Sequence, residues 1–316
     1  MNEADKKWLA RHFGHRVLFD EPMSGHTTFG IGGPADALLT LKSEQQIEDL
    51  VKWARNNGHH LMIVGAGSNL LVRDGGIRGL VLKLSSLFET IEERTSATSN
   101  GSAMITAGAG VLVRKLGKYA LDRRLAGLNF ALGIPGTVGG ALRMNAGAWG
   151  ACMADITSSI AVLNKKGEIV TIGKEQLRFS YRRLDLEEGS VILRGRFELK
   201  RADRQSLRDE AIKMQRKRRS SQPLSFPSAG CIFRNSAGGV SAGELIDKAG
   251  LKGLRVGRAE ISTKHSNFIV NRGGAKASDV LALIRQIREN VLSRFGIELE
   301  PEVTIVGEEA GSQKLL

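Results

Sequence analysis

Of the 316 residues only two are cysteine, Cys152 and Cys231. Two thiols cannot build a disulfide framework or a structural zinc site, and a reducing cytoplasm is the expected compartment. Aromatic residues are equally scarce, at 5% of the chain, with only two tyrosines. Proteins that bind single-stranded nucleic acid use aromatic side chains as stacking platforms, and no zinc-finger, RRM or KH pattern is present. No apolar run approaches the ~20 residues that a membrane span needs. The first residues, MNEADKKWLARHF, are charged and mixed, without the apolar core of a signal peptide. We therefore expect neither a nucleic-acid partner nor a membrane.

What is abundant is positive charge. Lysine and arginine number 46 against 33 acidic residues, a formal net charge of +13. Such an excess calls for anionic partners, and with nucleic acid and membrane set aside, polyanionic small molecules remain. The densest cluster is Lys213, Arg216, Lys217, Arg218 and Arg219. Hydrophobic residues make up 41% and charged residues 25%, as in ordinary globular proteins, and the length suffices for two or three lobes.

The most unusual stretch is Gly133 to Gly150, GIPGTVGGALRMNAGAWG, with six glycines and almost no charge. Glycine costs about 0.5–1 kcal/mol relative to alanine in a helix or strand, so this composition argues against either. It suits a backbone that approaches something closely and offers it amides, as anion-binding concavities do; a tight buried crossing of backbones is the bland alternative. A second stretch, HLMIVGAGSNLLVRDGG from His60 to Gly76, reads as strand, glycine turn, strand. It lacks the third glycine of a dinucleotide fingerprint, since Leu70 stands there, and no helical pattern follows. The turn still provides an amide nest for a diphosphate.

VGAGSNLLV, GIPGTVGGALRMNAGA, PSAGCIFRN and EPEV occur in an order that resembles the bacterial UDP-N-acetylenolpyruvoylglucosamine reductase (MurB) family. The likeness runs from about residue 26 to 307. It implies an α+β fold: a two-lobed FAD-binding domain of the vanillyl-alcohol-oxidase (PCMH) type, plus a C-terminal α+β substrate-binding domain. On that basis 1–25 is an N-terminal extension and 26–200 the FAD domain, with lobes of about 26–85 and 86–200. Residues 201–308 form the C-terminal domain and 309–316 a disordered tail. The implied activity is NADPH-dependent reduction of UDP-N-acetylglucosamine enolpyruvate to UDP-N-acetylmuramate, for peptidoglycan synthesis, by a cytoplasmic monomer with tightly bound FAD. An alcohol or lactone oxidase on the same flavin fold is the competing reading, disfavoured by the PSAGCIFRN and EPEV motifs. FAD, NADPH and the UDP-sugar all account for the basic balance.

Local patterns supply the elements. Ser43 and Gln46 have the capping-box spacing ahead of an apolar face of Ile47, Leu50, Val51 and Ala54. A second helix is expected from Val111 to about Leu125, with Leu112, Leu116, Tyr119 and Ala120 inward. A polar loop is expected at 95–102, ahead of that helix; short alternating strands fill 156–199, and a charged helix spans 203–220. Ser241 and Glu244 cap ELIDKAG, a helix covers Ser278–Phe295 with Leu292 on its apolar face, and ELEPEVTIVG is the last strand.

The resemblance assigns roles residue by residue. Gly65, Ala66, Gly67, Ser68 and Asn69, with Gly133, Ile134, Pro135, Gly136, Thr137, Gly139, Gly140, Ala141, Asn145 and Gly147, are the cofactor-binding candidates. Arg182 matches a strand arginine facing the enolate, and it directly follows Tyr181; Arg183 is its rival, because the family's usual Tyr-Arg-x-Ser is here Tyr-Arg-Arg-Leu. Cys231 occupies the position of the family's proton-donating serine, and a thiol near its reference pKa of about 8.5 donates at least as readily as an alcohol. Glu302 matches the C-terminal glutamate, although spacing alone does not separate it from Glu298 and Glu300. Asn235, Arg234, Arg219 and Lys264 are the substrate-binding candidates, with Arg218 beside Arg219; His265 reads as structural. Ser236 replaces the family's proline, a change in the turn. The absence of a tyrosine beyond Tyr181 places the chain in the branch without the inserted tyrosine loop.

Overall fold

The computed structural model describes residues 1–84, 86–94, 101–235 and 239–311. Residues 95–100 of the expected polar loop, Ser236 and residues 312–316 of the expected tail lie outside them.

The chain opens with α1 (Glu3–Phe13), started by the Asn2 side chain accepting from the Asp5 amide at 2.8 Å. It continues through β1 (Val17–Pro22), β2 (Pro34–Leu41), α2 (Glu44–Asn56), β3 (Leu61–Ile63), β4 (Leu70–Val72) and β5 (Ile77–Leu84). The sheet order is β1-β2-β5-β3, with β1 antiparallel to β2 and the other neighbours parallel. Ser43 accepts from the Gln46 amide at 3.3 Å, and Ile47, Leu50, Val51 and Ala54 of α2 are buried. Leu9 and Phe13 of α1 enter the same apolar cluster, and Trp8 stacks on Trp53 with centroids 4.5 Å apart. Residues 1–25, expected as an extension, are thus an outer layer of this lobe: their apolar face is buried and β1 completes the sheet.

The second lobe contains β6 (Ile91–Arg94), β7 (Ser102–Gly108), α3 (Val113–Asp122), β8 (Leu125–Ala126), α4 (Val138–Arg143), β9 (Gly147–Ala148) and β10 (Ala151–Cys152). It ends with α5 (Met153–Ile156), β11 (Thr157–Leu163), β12 (Ile169–Gly173), β13 (Arg178–Ser180), β14 (Arg183–Asp185) and β15 (Val191–Arg201). Its sheet runs β12-β11-β15-β7-β6, with β8 added beside β15. Helix α3 is shorter than its pattern: Leu112, expected inward, has an extended backbone and is 36% exposed. Val113, Leu116, Gly117 and Ala120 make the buried face instead.

The glycine-rich stretch departs from expectation at α4, a short helix within it. Local composition disfavours a helix there, and tertiary packing overrides it. A Cβ on Gly139 would lie 2.9 Å from that of Ala109, so only glycine lets α4 sit this close.

The remaining elements are α6 (Arg204–Ser221), α7 (Ala242–Lys248), β16 (Arg255–Val256), β17 (Ala259–Ile261), β18 (Ile269–Asn271), α8 (Ala277–Phe295) and β19 (Thr304–Val306). Helix α6, read from sequence as the start of the C-terminal domain, lies against the Asn129–Gly133 turn of the second lobe. Asn129 Nδ2 donates to Leu207 O at 3.1 Å and to Glu210 at 2.5 Å. The C-terminal core gathers Leu245, Ile246, Ile261, Ile269, Val280 and Leu283, and Phe29, Ile31 and Leu71 of the first lobe join it. Leu292, expected on the apolar face of α8, is 51% exposed. Two further ties bind this domain to the first lobe. Strand β19 pairs in parallel with β4, and the Asp74 carboxylate accepts from the Ala277 and Ser278 amides at 2.7 and 2.9 Å, capping α8 from outside. Beyond β19, Glu309 pairs with Arg73, so the tail is anchored at its start.

Candidate active site

The two glycine runs meet. A Cβ on Gly65 would lie 2.3 Å from Thr137 Oγ1, and Ser68 Oγ donates to Pro135 O at 3.0 Å. Gly67 has φ +62° and its missing Cβ faces the His26 carbonyl at 2.3 Å, two separate reasons for glycine. Among the described residues, the amides of Gly65 to Asn69 and of Gly136 and Thr137 have no acceptor. Consecutive unpaired N–H groups of this kind form a cradle for an anion. FAD carries a diphosphate of the right chemistry, and these residues fit it.

Beside this cradle three side chains converge from three parts of the chain. Arg182 lies on the turn between β13 and β14, not within a strand as expected, at φ +57°. A non-glycine residue held there is strained by roughly 1–3 kcal/mol, and such strain concentrates at functional sites. Its Nε donates to Glu302 Oε1 at 2.6 Å. Burial works against the Arg182 charge, but the Glu302 carboxylate outweighs it and the pKa is raised. Cys231, bridged to Phe268, lies in the field of both. Burial pushes its thiol up to about 12, the Glu302 charge adds to that, and Arg182 and Arg218 pull the other way. The group is therefore a neutral thiol at any physiological pH.

Geometry separates the rivals that spacing left open. Arg183 is exposed and paired with Asp185 at 3.1 Å. Glu298 and Glu300 are exposed, facing Arg288 and Arg234, whereas the Glu302 side chain is 13% exposed. The three glutamates do not share a strand face, because β19 begins only at Thr304. Asn69 links cradle and glutamate: its Nδ2 donates to Glu302 O at 3.1 Å.

Two family models match the chain, a FAD binding domain over residues 35–173 and the UDP-N-acetylenolpyruvoylglucosamine reductase C-terminal domain over residues 222–306. A UDP-N-acetylenolpyruvoylglucosamine reductase of Desulfosudis oleivorans is 44% identical over 315 residues, covering 98% of this chain and all of the relative. One from Heliobacterium modesticaldum is 42% identical over 96% of this chain and 95% of its own. The chain belongs to the UDP-N-acetylenolpyruvoylglucosamine reductase family. The crystal structure of the Thermus caldophilus reductase, 37% identical, superposes with a TM-score of 0.77 over 92% of this chain and 97% of its own.

Within this reductase fold several candidates are positioned as parts of the scaffold. Asn145, at φ +39°, accepts from the Ala154 amide and donates to Ser180 O at 3.0 Å, so its side chain fixes the strand leading to Arg182. Gly147 lies in β9, and Gly139, Gly140 and Ala141 lie in α4. Asn235 Oδ1 accepts from the Ala242 amide at 3.1 Å, and Arg234 faces Glu300 at 3.7 Å on the surface. Lys264 Nζ donates to Arg219 O at 2.5 Å, closing the end of α6, while the Arg219 side chain is exposed. Its neighbour Arg218 turns inward, donating to Gly133 O, and its field reaches the Cys231 thiol. Sequence reading offered Arg219 and Arg218 together; one helical step of about 100° turns one of the two inward and the other to the surface. His265 packs edge-on against Phe268 with centroids 4.9 Å apart and accepts from the Asn267 amide at its Nδ1, a structural arrangement. Asn267, which shares the family-like motif of Lys264 and His265, is buried and exchanges hydrogen bonds with both backbone groups of Phe233, 2.9 and 2.8 Å, which holds the Cys231 segment in register.

Proposed function

We propose that this chain reduces UDP-N-acetylglucosamine enolpyruvate to UDP-N-acetylmuramate with NADPH, and that Arg182, Cys231 and Glu302 carry the protein's part of the chemistry. The observation that supports it is the convergence of guanidinium, thiol and carboxylate beside an amide cradle suited to FAD, in a chain of this reductase family. Gly65–Asn69 and Gly133–Thr137 would hold FAD, which when bound would supply the hydride chemistry between NADPH and one carbon of the enolpyruvyl double bond. Negative charge then builds on the neighbouring carbon and spreads into its carboxylate. Arg182 presents an always-charged planar fork to that carboxylate, and its pairing with Glu302 fixes the direction of the fork. Charge stabilisation of this kind is strongest in a site that excludes water, where the groups are already oriented.

Cys231 donates the proton to that carbon. Burial removes part of the acidity advantage a thiol holds over an alcohol, and in exchange the donor is fully protonated when the carbanionic charge develops. Glu302 contributes twice: it holds Arg182, and its negative charge keeps the thiol in its protonated form. Arg218, on the opposite side of the balance, stabilises the thiolate left after transfer, until solvent returns the proton.

The test is direct. Purified protein is yellow with a flavin spectrum, and it consumes NADPH in proportion to added enolpyruvyl sugar nucleotide. Colour without substrate-dependent NADPH consumption would remove this reading.

A further inference from the structure

The cofactor cradle has a positive group next to it that none of the matched motifs contains. Lys83 is the seventh residue of β5, at the carboxyl end of the parallel strands. The Val64 amide donates to Leu82 O at 2.9 Å, so Lys83 stands opposite the last residue before the Gly65–Asn69 turn. Ligands of parallel sheets bind outside the carboxyl ends of the strands. The Lys83 ammonium is half-buried and, among the described residues, has no carboxylate partner. Its contact is His26 Nδ1 at 3.3 Å, while His26 Nε2 lies 2.9 Å from Glu21 Oε1.

This chain of three groups fixes its own protons. An ammonium only donates, so His26 Nδ1 accepts, and the ring carries its hydrogen on Nε2, donating to Glu21. Neither ring nitrogen offsets the lysine charge, and two N–H donors of Lys83 remain. Burial pulls its pKa below the usual lysine value. His26 is also the residue whose carbonyl backs Gly67, so the lysine is braced by the segment that shapes the cradle.

We infer that Lys83 is a ligand of the FAD diphosphate, oriented by the His26–Glu21 pair. This rests on the FAD reading above. The experiment measures binding of FAD and of riboflavin, which lacks phosphate, to apo-protein by flavin fluorescence, with the thermal midpoint of each apo-protein recorded. Lys83→Met weakens FAD binding roughly 10- to 100-fold, the range for losing one charge-assisted hydrogen bond, and leaves riboflavin binding within about threefold by the same reasoning. Lys83→Arg retains most of the FAD affinity. If Lys83→Met binds FAD like the wild type, or loses FAD and riboflavin affinity equally, the lysine is only a brace for His26 and the proposal fails. If the wild-type chain binds no FAD, the cofactor reading falls, and this proposal with it.

Discussion

Gly65→Ala probes the joint between the two glycine runs with a single methyl group. Gly65 does not occupy the left-handed region, so alanine meets no backbone penalty and the effect comes from contact alone. The added carbon would stand 2.3 Å from Thr137 Oγ1, 3.4 Å from its Cβ and 3.5 Å from its Cγ2. The last two are ordinary contacts; the first requires about 1 Å of retreat. Thr137 is β-branched and its Cα belongs to the run that follows Gly136, so the retreat moves the cradle. Overpacking of this size costs about 1–3 kcal/mol, which translates to a loss of roughly 5- to 150-fold in FAD affinity if the holo form bears the strain. Thr137→Ala removes the clashing oxygen, so the double variant recovers affinity relative to Gly65→Ala, with a coupling energy of about 0.5–3 kcal/mol. Fluorescence titration of apo-protein with FAD measures all four proteins. Wild-type affinity in Gly65→Ala, or no recovery in the double variant, would refute the idea that the two runs hold the cofactor jointly.

Arg182→Lys keeps the charge and loses the fork, and kcat/KM falls by a factor on the order of 10²–10³ with FAD content unchanged; steady-state kinetics with the absorbance ratio of bound flavin checks both. Asp74→Asn weakens the cap on α8 and lowers stability by roughly 0.5–2 kcal/mol in urea unfolding. The Asp74 pKa is lowered, because hydrogen bonds from Ser278 and Ala277 overcome the opposing effect of burial. A depressed carboxylate contributes fully above its unfolded pKa of about 3.9 and loses that contribution as pH falls through the folded value. The stability gap between wild type and Asp74→Asn is therefore constant near neutrality and closes in acid. Cys231, with its thiol pushed up to about 12, reacts with iodoacetamide at pH 8 far more slowly than a free thiol; mass spectrometry of the Cys231 peptide reads the modification, and rapid labelling would contradict the neutral thiol.

The local grammar of the chain was legible where it is set by a few neighbouring residues. Ser43 with Gln46 and Ser241 with Glu244 cap helices as their spacing indicates, with bonds of 3.3 and 3.2 Å. The amide turn at Gly65–Asn69 stands between strands, as its flanking apolar runs require. What failed depended on distant partners. Helix α4 forms against the propensity of its glycines because Gly139 packs on Ala109. Residues 1–25 look peripheral in sequence, yet Leu9 and Phe13 are at most 3% exposed once α2 and the first sheet lie over them. For the site, spacing alone did not choose among neighbours, and the resemblance did, taking Arg182 over Arg183 and Glu302 over Glu298 and Glu300. In the fold Arg183, Glu298 and Glu300 are exposed and paired at the surface, while Arg182 and Glu302 pair with each other further in. Arg218 over Arg219 follows from the phase of α6, a quantity its many charges hide. The cation at Lys83 left no trace in any motif.

The most direct measurement of the account is a single turnover. Enzyme whose flavin has been reduced by NADPH is mixed with the enolpyruvyl sugar nucleotide, and product is quantified by rapid quench for wild type, Cys231→Ser and Cys231→Ala. A positioned general acid contributes on the order of 10²–10⁴ in rate, so Cys231→Ala slows product formation by that factor while Cys231→Ser stays close to wild type. Product formation in Cys231→Ala at the wild-type rate would show that the proton comes from elsewhere.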